Sequence, residues 1–158
     1  VGGMAELYGL LKMLGISYEE IEHEAVYTIE QAQRIKRMTD GAGCKNLFLT
    51  DRKGGYILAV LQEDKRADLK ALASLYGVKK LSFASDEQLS EVLGLTRGSV
   101  TPMGLINDKE HAVKLAIDGE LHGRKLLFHP NVNTRTISIT ADDLIKYIEY
   151  FGNEYKYF

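Results

Sequence analysis

Leu47-Phe48-Leu49-Thr50 and Tyr56-Ile57-Leu58-Ala59-Val60-Leu61 are two apolar runs separated by Asp51-Arg52-Lys53-Gly54-Gly55. Short apolar runs joined by a loop containing Asp and Gly read as a β-hairpin. Upstream, Gly41-Ala42-Gly43-Cys44 reads as a flexible approach, since glycine lets backbone come close to a ligand. Lys45 and Asn46 then stand where loop becomes buried strand. A cation fixed there can hold a phosphate or a carboxylate, or it can merely lay its stem over the strand end.

Working outward, the chain alternates helices and strands. Leu7, Leu10, Leu11 and Leu14 have helical spacing over Ala5–Leu14, and Gly15 supplies a stop. Ile16–His23 alternates imperfectly among acids, as an exposed strand does. Thr28 with Gln31 forms a capping-box pattern for a second helix, which carries Arg34, Lys36 and Arg37. Downstream of the hairpin, Ala67–Tyr76 is amphipathic. Leu81–Phe83 reads as a short strand, and Ser85 with Gln88 opens another helix that Gly94 ends. Met103–Ile106, Ala112–Ile117, Lys125–Phe128 and Thr136–Ile139 read as strands, and Ala141–Phe151 as the last helix. Strands a short loop apart, mixed with helices, predict an α/β fold: a single domain with a mixed, strongly curved sheet rather than a doubly wound parallel one.

Composition narrows the class. A chain of 158 residues with 45% hydrophobic and 27% charged residues is expected to fold as one soluble domain over 1–158, with no weight placed on Val1-Gly2-Gly3. No apolar stretch approaches the roughly 18 residues of a membrane span. One cysteine gives no disulfide framework and favours a reducing, cytoplasmic setting. The net charge of −2 is unlike a DNA-coating surface, so a nucleic acid would have to be gripped locally.

Both prolines lie in loops beside expected strands. Gly98-Ser99-Val100-Thr101-Pro102 offers backbone donors that can bind an oxygen, or is an ordinary connection. Phe128-His129-Pro130-Asn131-Val132-Asn133-Thr134 brings a histidine out at a strand end, where His129 and Asn133 can orient a polar substrate or simply shape a turn. Cys44 reads as a packing residue, since no base for a nucleophilic thiol accompanies it. His23, His111 and His122 lack metal-site spacing, and neither Gly54-Gly55 nor Gly41-x-Gly43 makes a phosphate-loop or dinucleotide fingerprint. Tyr147, Tyr150, Phe151, Tyr155, Tyr157 and Phe158 read as core and tail packing.

Taken in order, His23-Glu24-Ala25-Val26-Tyr27-Thr28, Cys44-Lys45-Asn46-Leu47-Phe48-Leu49, the Gly98–Pro102 loop and the His129 segment resemble the YbaK/prolyl-tRNA synthetase-associated editing-domain family. The resemblance covers nearly the whole chain and looks most like the free-standing branch that deacylates alanyl-tRNA(Pro). The cysteinyl-tRNA(Pro) branch lacks the histidine segment. The resemblance implies a barrel-like mixed sheet and hydrolysis of the ester between a wrong amino acid and the terminal adenosine of tRNA. It also implies tRNA(Pro) as partner, transient association with a prolyl-tRNA synthetase, and no cofactor, metal, membrane or DNA. Lys45, Asn46 and His129 would be catalytic, Lys45 as a fixed cation rather than a base. Thr28, Gly98, Ser99, Val100, Thr101, Pro102 and Asn133 would bind the aminoacyl group, with the free ribose hydroxyl assisting. Arg34, Lys36 and Arg37 would meet acceptor-stem phosphates or stay a solvated helix face. The rivals are a non-catalytic binder of amino acids or aminoacyl-tRNA, and a deacylase of cysteinyl- or seryl-tRNA.

Overall fold

Helix starts and stops follow local chemistry closely. In the computed structural model, which describes residues 4–25, 28–39 and 41–158, the order is α1 (Met4–Met13), β1 (Glu19–Glu22), α2 (Ile29–Thr39), β2 (Ala42–Thr50), β3 (Tyr56–Gln62), α3 (Leu69–Leu75), β4 (Ser82–Phe83), α4 (Asp86–Leu93), β5 (Val113–Ile117), β6 (Lys125–Phe128), β7 (Arg135–Thr140), α5 (Ala141–Phe151) and β8 (Tyr155–Tyr157). Val26, Tyr27 and the Lys36 side chain, all named above, lie outside the described residues. Both expected capping boxes form. The Thr28 hydroxyl accepts from the Gln31 amide at 3.1 Å, and Ser85 and Gln88 bond reciprocally. α4 ends in left-handed Gly94, with φ 65°, as its sequence predicts.

The strands form one mixed sheet in the order β1-β7-β6-β2-β3-β5-β8, with β4 pairing β2 off this path. β1/β7, β6/β7, β2/β3 and β2/β4 are antiparallel, while β2/β6, β3/β5 and β5/β8 are parallel. The ladder is an open path with β1 and β8 at its ends. β3 is apolar from Tyr56 to Leu61 because both its faces are buried. Leu58 and Val60 join the core with Leu7, Leu93, Met103 and Tyr147, while Ile57, Ala59 and Leu61 join the layer under α3 with Leu72 and Leu81.

Three expectations need correcting. The approach at Ala42–Cys44 is strand already, with Ala42 and Gly43 paired to Leu126 and Leu127 of β6, so Lys45 lies inside β2 rather than at its entrance. Met103–Ile106 is not a strand but part of a 3₁₀ segment, Pro102–Asn107. Pro102 sits in its first turn, the Thr101 hydroxyl accepts from the Met103 amide at 3.2 Å, and full burial erases any periodicity. The tail is more than packing, because Tyr155–Tyr157 adds an edge strand to β5. No helix among the described residues is long and apolar enough to cross a membrane.

Candidate active site

β2 has one edge fully used and the other interrupted. Along the first edge it pairs β3 from Cys44 to Thr50; along the second it meets β6 at Ala42–Gly43 and β4 at Leu49–Thr50. Between them, on that second edge, residues 45–47 pair with no strand among the described residues. Backbone parity says which groups face this opening. Gly43 and Asp51 bond across to Glu63 and Gly55, so odd positions face β3, while the Phe48 carbonyl turns outward to accept from the Ala84 amide at 2.9 Å. The backbone N–H and C=O of Asn46 therefore face the opening.

Side chains divide by the same alternation. Asn46 sits opposite Val60, on the face of Cys44 and Phe48; Lys45 sits opposite Leu61, on the face of Leu47 and Leu49. Two hollows meet at Asn46. A chamber of about 100 Å³ is walled by Ala32 and Ile35 of α2, Cys44 and Asn46 of β2, and Phe128 and His129. A wider cleft of about 480 Å³ is bounded by Asn46, Leu47, Phe83, Asp86, Arg97 and Val100.

The polar groups here are arranged as acceptors. Asn46 Nδ2 donates to the Val100 carbonyl at 3.1 Å. That fixes the amide's orientation, since the flipped amide would set two acceptors face to face. Its Oδ1 is buried and has no partner among the described residues. His129 places Nδ1 2.9 Å from the Arg135 carbonyl, which can only accept, so Nδ1 carries the proton and neutral Nε2 is left with a lone pair. Burial pushes the His129 imidazole below its ordinary range; the Arg135 carbonyl opposes this, and His23, 6.1 Å away ring to ring, adds to it. His23 is itself held through Nε2 to the Thr136 hydroxyl at 2.8 Å.

The predicted site residues separate into groups. Asn46 and His129 share the chamber, while Val100 lines the wider cleft and accepts from Asn46 through its carbonyl. Gly98 and Asn133 are neighbours, since a Cβ on Gly98 would stand 3.4 Å from Asn133 Nδ2. Ser99, Thr101 and Pro102 are buried rather than presented to a ligand. The Ser99 amide donates to the Thr96 carbonyl at 3.0 Å, and its hydroxyl lies 3.3 Å from that of Thr96. Thr28 spends its hydroxyl on the helix cap. Arg34 and Arg37 are exposed on α2, away from both hollows. Lys45 is half-buried on the opposite face from Asn46 and makes no ion pair among the described residues. Sequence reasoning missed Phe83, Asp86 and Arg97. The signal was an aromatic closing a two-residue strand directly before a capped helix, and an arginine directly before Gly98.

Comparison with known proteins places the chain in a family. The sequence model of the aminoacyl-tRNA editing domain matches residues 23–147. The prolyl-tRNA editing protein ProX of Acetoanaerobium sticklandii is 41% identical over 148 residues, covering 92% of this chain and 90% of that one. The multifunctional Ser/Thr-tRNA deacylase ProXp-y of Escherichia coli is 28% identical, over 89% and 84%. A crystal structure described as a candidate trans-editing enzyme for prolyl tRNA synthetase superposes with a TM-score of 0.73 at 19% identity, over 99% and 96% of the two chains.

Proposed function

Because the chain belongs to the aminoacyl-tRNA editing domain family, we propose that it acts in trans as a hydrolase that removes wrongly attached alanine from tRNA(Pro). The observation that carries the reading is a chamber of about 100 Å³ and a cleft of about 480 Å³ that share Asn46 as a wall. A synthetase pocket shaped for proline gains only about 1–3 kcal/mol per methylene against a smaller amino acid. A small second chamber discriminates in the other direction, by refusing the larger ring. Chemistry adds to size. The α-ammonium of alanine offers three N–H donors to a wall of acceptors, whereas the ring nitrogen of proline offers two.

In this reading a water adds to the ester carbonyl, the bond to the ribose oxygen breaks, and alanine leaves while the ribose hydroxyl is regenerated. Asn46 Oδ1 and His129 Nε2 receive N–H or O–H from the ammonium and the attacking water. The Asn46 backbone N–H, facing the open edge, steadies the developing negative charge. The adjacent free ribose hydroxyl of tRNA relays the proton, a role DNA lacks the group to fill. Within the Gly98–Pro102 loop, the exposed Gly98 backbone and Val100, which is tied to Asn46, hold the ester in place. Lys45 belongs with the phosphate rather than the carbonyl, because it shares the face of Leu47 and not that of Asn46. Arg34, Lys36 and Arg37 are assigned to the acceptor stem, and the tRNA arrives from a prolyl-tRNA synthetase that has mischarged it.

The test is deacylation of purified tRNA(Pro) charged with alanine, cysteine, serine or proline, with Lys45→Ala beside wild type. Alanine is expected to leave fastest and proline to stay, with Lys45→Ala slow but normally folded. Hydrolysis of no species above buffer sinks the enzyme reading. Removal of cysteine or serine while alanine survives sinks only the choice of substrate.

A further inference from the structure

We infer that the wider cleft is a seat for the terminal purine of the aminoacylated RNA, with Phe83 as its stacking platform. This rests on the deacylase reading above and assigns the part of the substrate that does not react. Phe83 is 63% exposed, although it is a large apolar side chain with a neighbouring core available. A lone exposed aromatic needs no explanation. This one lines a concavity of about 480 Å³, within the roughly 300–1,000 Å³ typical of small-molecule sites, and that concavity shares Asn46 with the chamber. A ligand whose reacting end occupies the chamber must extend its other end through this cleft or out to solvent.

The lining suits a flat, electron-rich ring attached to an anionic backbone. Phe83 pairs with Leu49, so it stands on the same face of the sheet as Leu47 and Lys45. That face therefore carries an aromatic plane, an aliphatic side chain and a cation in succession. Arg97 supplies a second planar group. Its Nε and Nη2 bond the two carboxylate oxygens of Asp86 at 3.1 and 2.9 Å, an exposed bidentate pair that orients the planar guanidinium beside the cleft. Purines stack on aromatic rings and guanidinium planes irrespective of their hydrogen-bonding edge. The cleft thus grips the nucleoside every tRNA ends in, and leaves discrimination to the chamber.

The chain contains no tryptophan, so Phe83→Trp places a sole indole reporter in the cleft. Adenosine 5′-monophosphate is expected to quench its fluorescence saturably, and cytidine 5′-monophosphate to do so more weakly. In parallel, kcat/KM for alanyl-tRNA(Pro) should fall about tenfold in Phe83→Ala and recover in Phe83→Trp, with unchanged melting curves. Absence of saturable quenching, or wild-type kcat/KM in Phe83→Ala, overturns the assignment. Saturable quenching by a protein that hydrolyses no aminoacyl-tRNA would instead retain the seat and sink the deacylase reading.

Discussion

Replacing Asn46 by alanine removes the donor to Val100 and, with it, a buried carbonyl oxygen that has no partner among the described residues. The lost bond costs about 1 kcal/mol and deletion of the orphan offsets a comparable amount. Asn46→Ala should therefore melt within a few degrees of wild type while deacylation falls at least about tenfold. A large fall in melting temperature would make Asn46 a structural residue. His129 adds a pH signature. Its folded-state pKa lies below the ordinary 6.5, so the unfolded chain binds its proton more tightly. The corresponding stability is complete above 6.5 and is lost as pH falls through the lowered folded value. Wild type should thus lose thermal stability more steeply than His129→Gln as pH falls from 6.5 to that lowered value, and its deacylation should decline in the same direction as Nε2 is protonated. Asn46 and His129 were legible in the sequence because their motifs name them. The facing of Lys45 was not, because displacing a strand's start by one residue exchanges its two faces. The pairing of Ala42 and Gly43 with β6, which fixes that start, comes from far along the chain.

At the scale of elements, the local signals were readable and the nonlocal ones were not. The capping boxes of Thr28 and Ser85 and the glycine stop after α4 depend on residues within a turn of one another. The 3₁₀ segment Pro102–Asn107 is buried almost throughout, which leaves no polar positions to mark a period. β8 exists only because β5 is there to pair with. The capping box of α4 matters doubly, since Ser85 and Asp86 also border the cleft. Ser85→Ala should lower unfolding stability by about 1 kcal/mol in urea titration. Ser85→Asp, which keeps a capping acceptor, should restore most of it; failure to do so would remove the cap as the cause. Gly104 is constrained by packing. A Cβ there would meet Leu95 Cδ1 at 2.7 Å and the Leu93 carbonyl at 3.2 Å, so Gly104→Ala should cost about 1–3 kcal/mol through overpacking, checked by the same titration.

For the molecule as a whole, the mixed α/β class was visible in the sequence, but the order of strands was not. Parallel partners such as β3 and β5 carry no turn between them to announce the pairing. The last strand shows what that pairing contributes. Leu115 donates to the Glu154 carbonyl at 2.9 Å, Phe158 to Ile117 at 3.0 Å, and Gly119 to the Phe158 carbonyl at 3.0 Å. Removing residues 154–158 should lower the melting temperature by roughly 5 °C or more, at about 1 kcal/mol per lost bond and about 2–4 °C per kcal/mol. An unchanged melt would make β8 an ornament of the edge. The chamber at Asn46 takes its walls from Ala32 at one extreme and Thr136 at the other. A chain emerging from the ribosome can thus close the β2–β3 hairpin early, but it has no chamber until β6 and the His129 turn have been made. Between the completion of β3 at Gln62 and the arrival of β5 at Val113, every nascent copy carries β3 with one edge still unpaired by its parallel partner. Chaperone demand should consequently peak before β5 arrives.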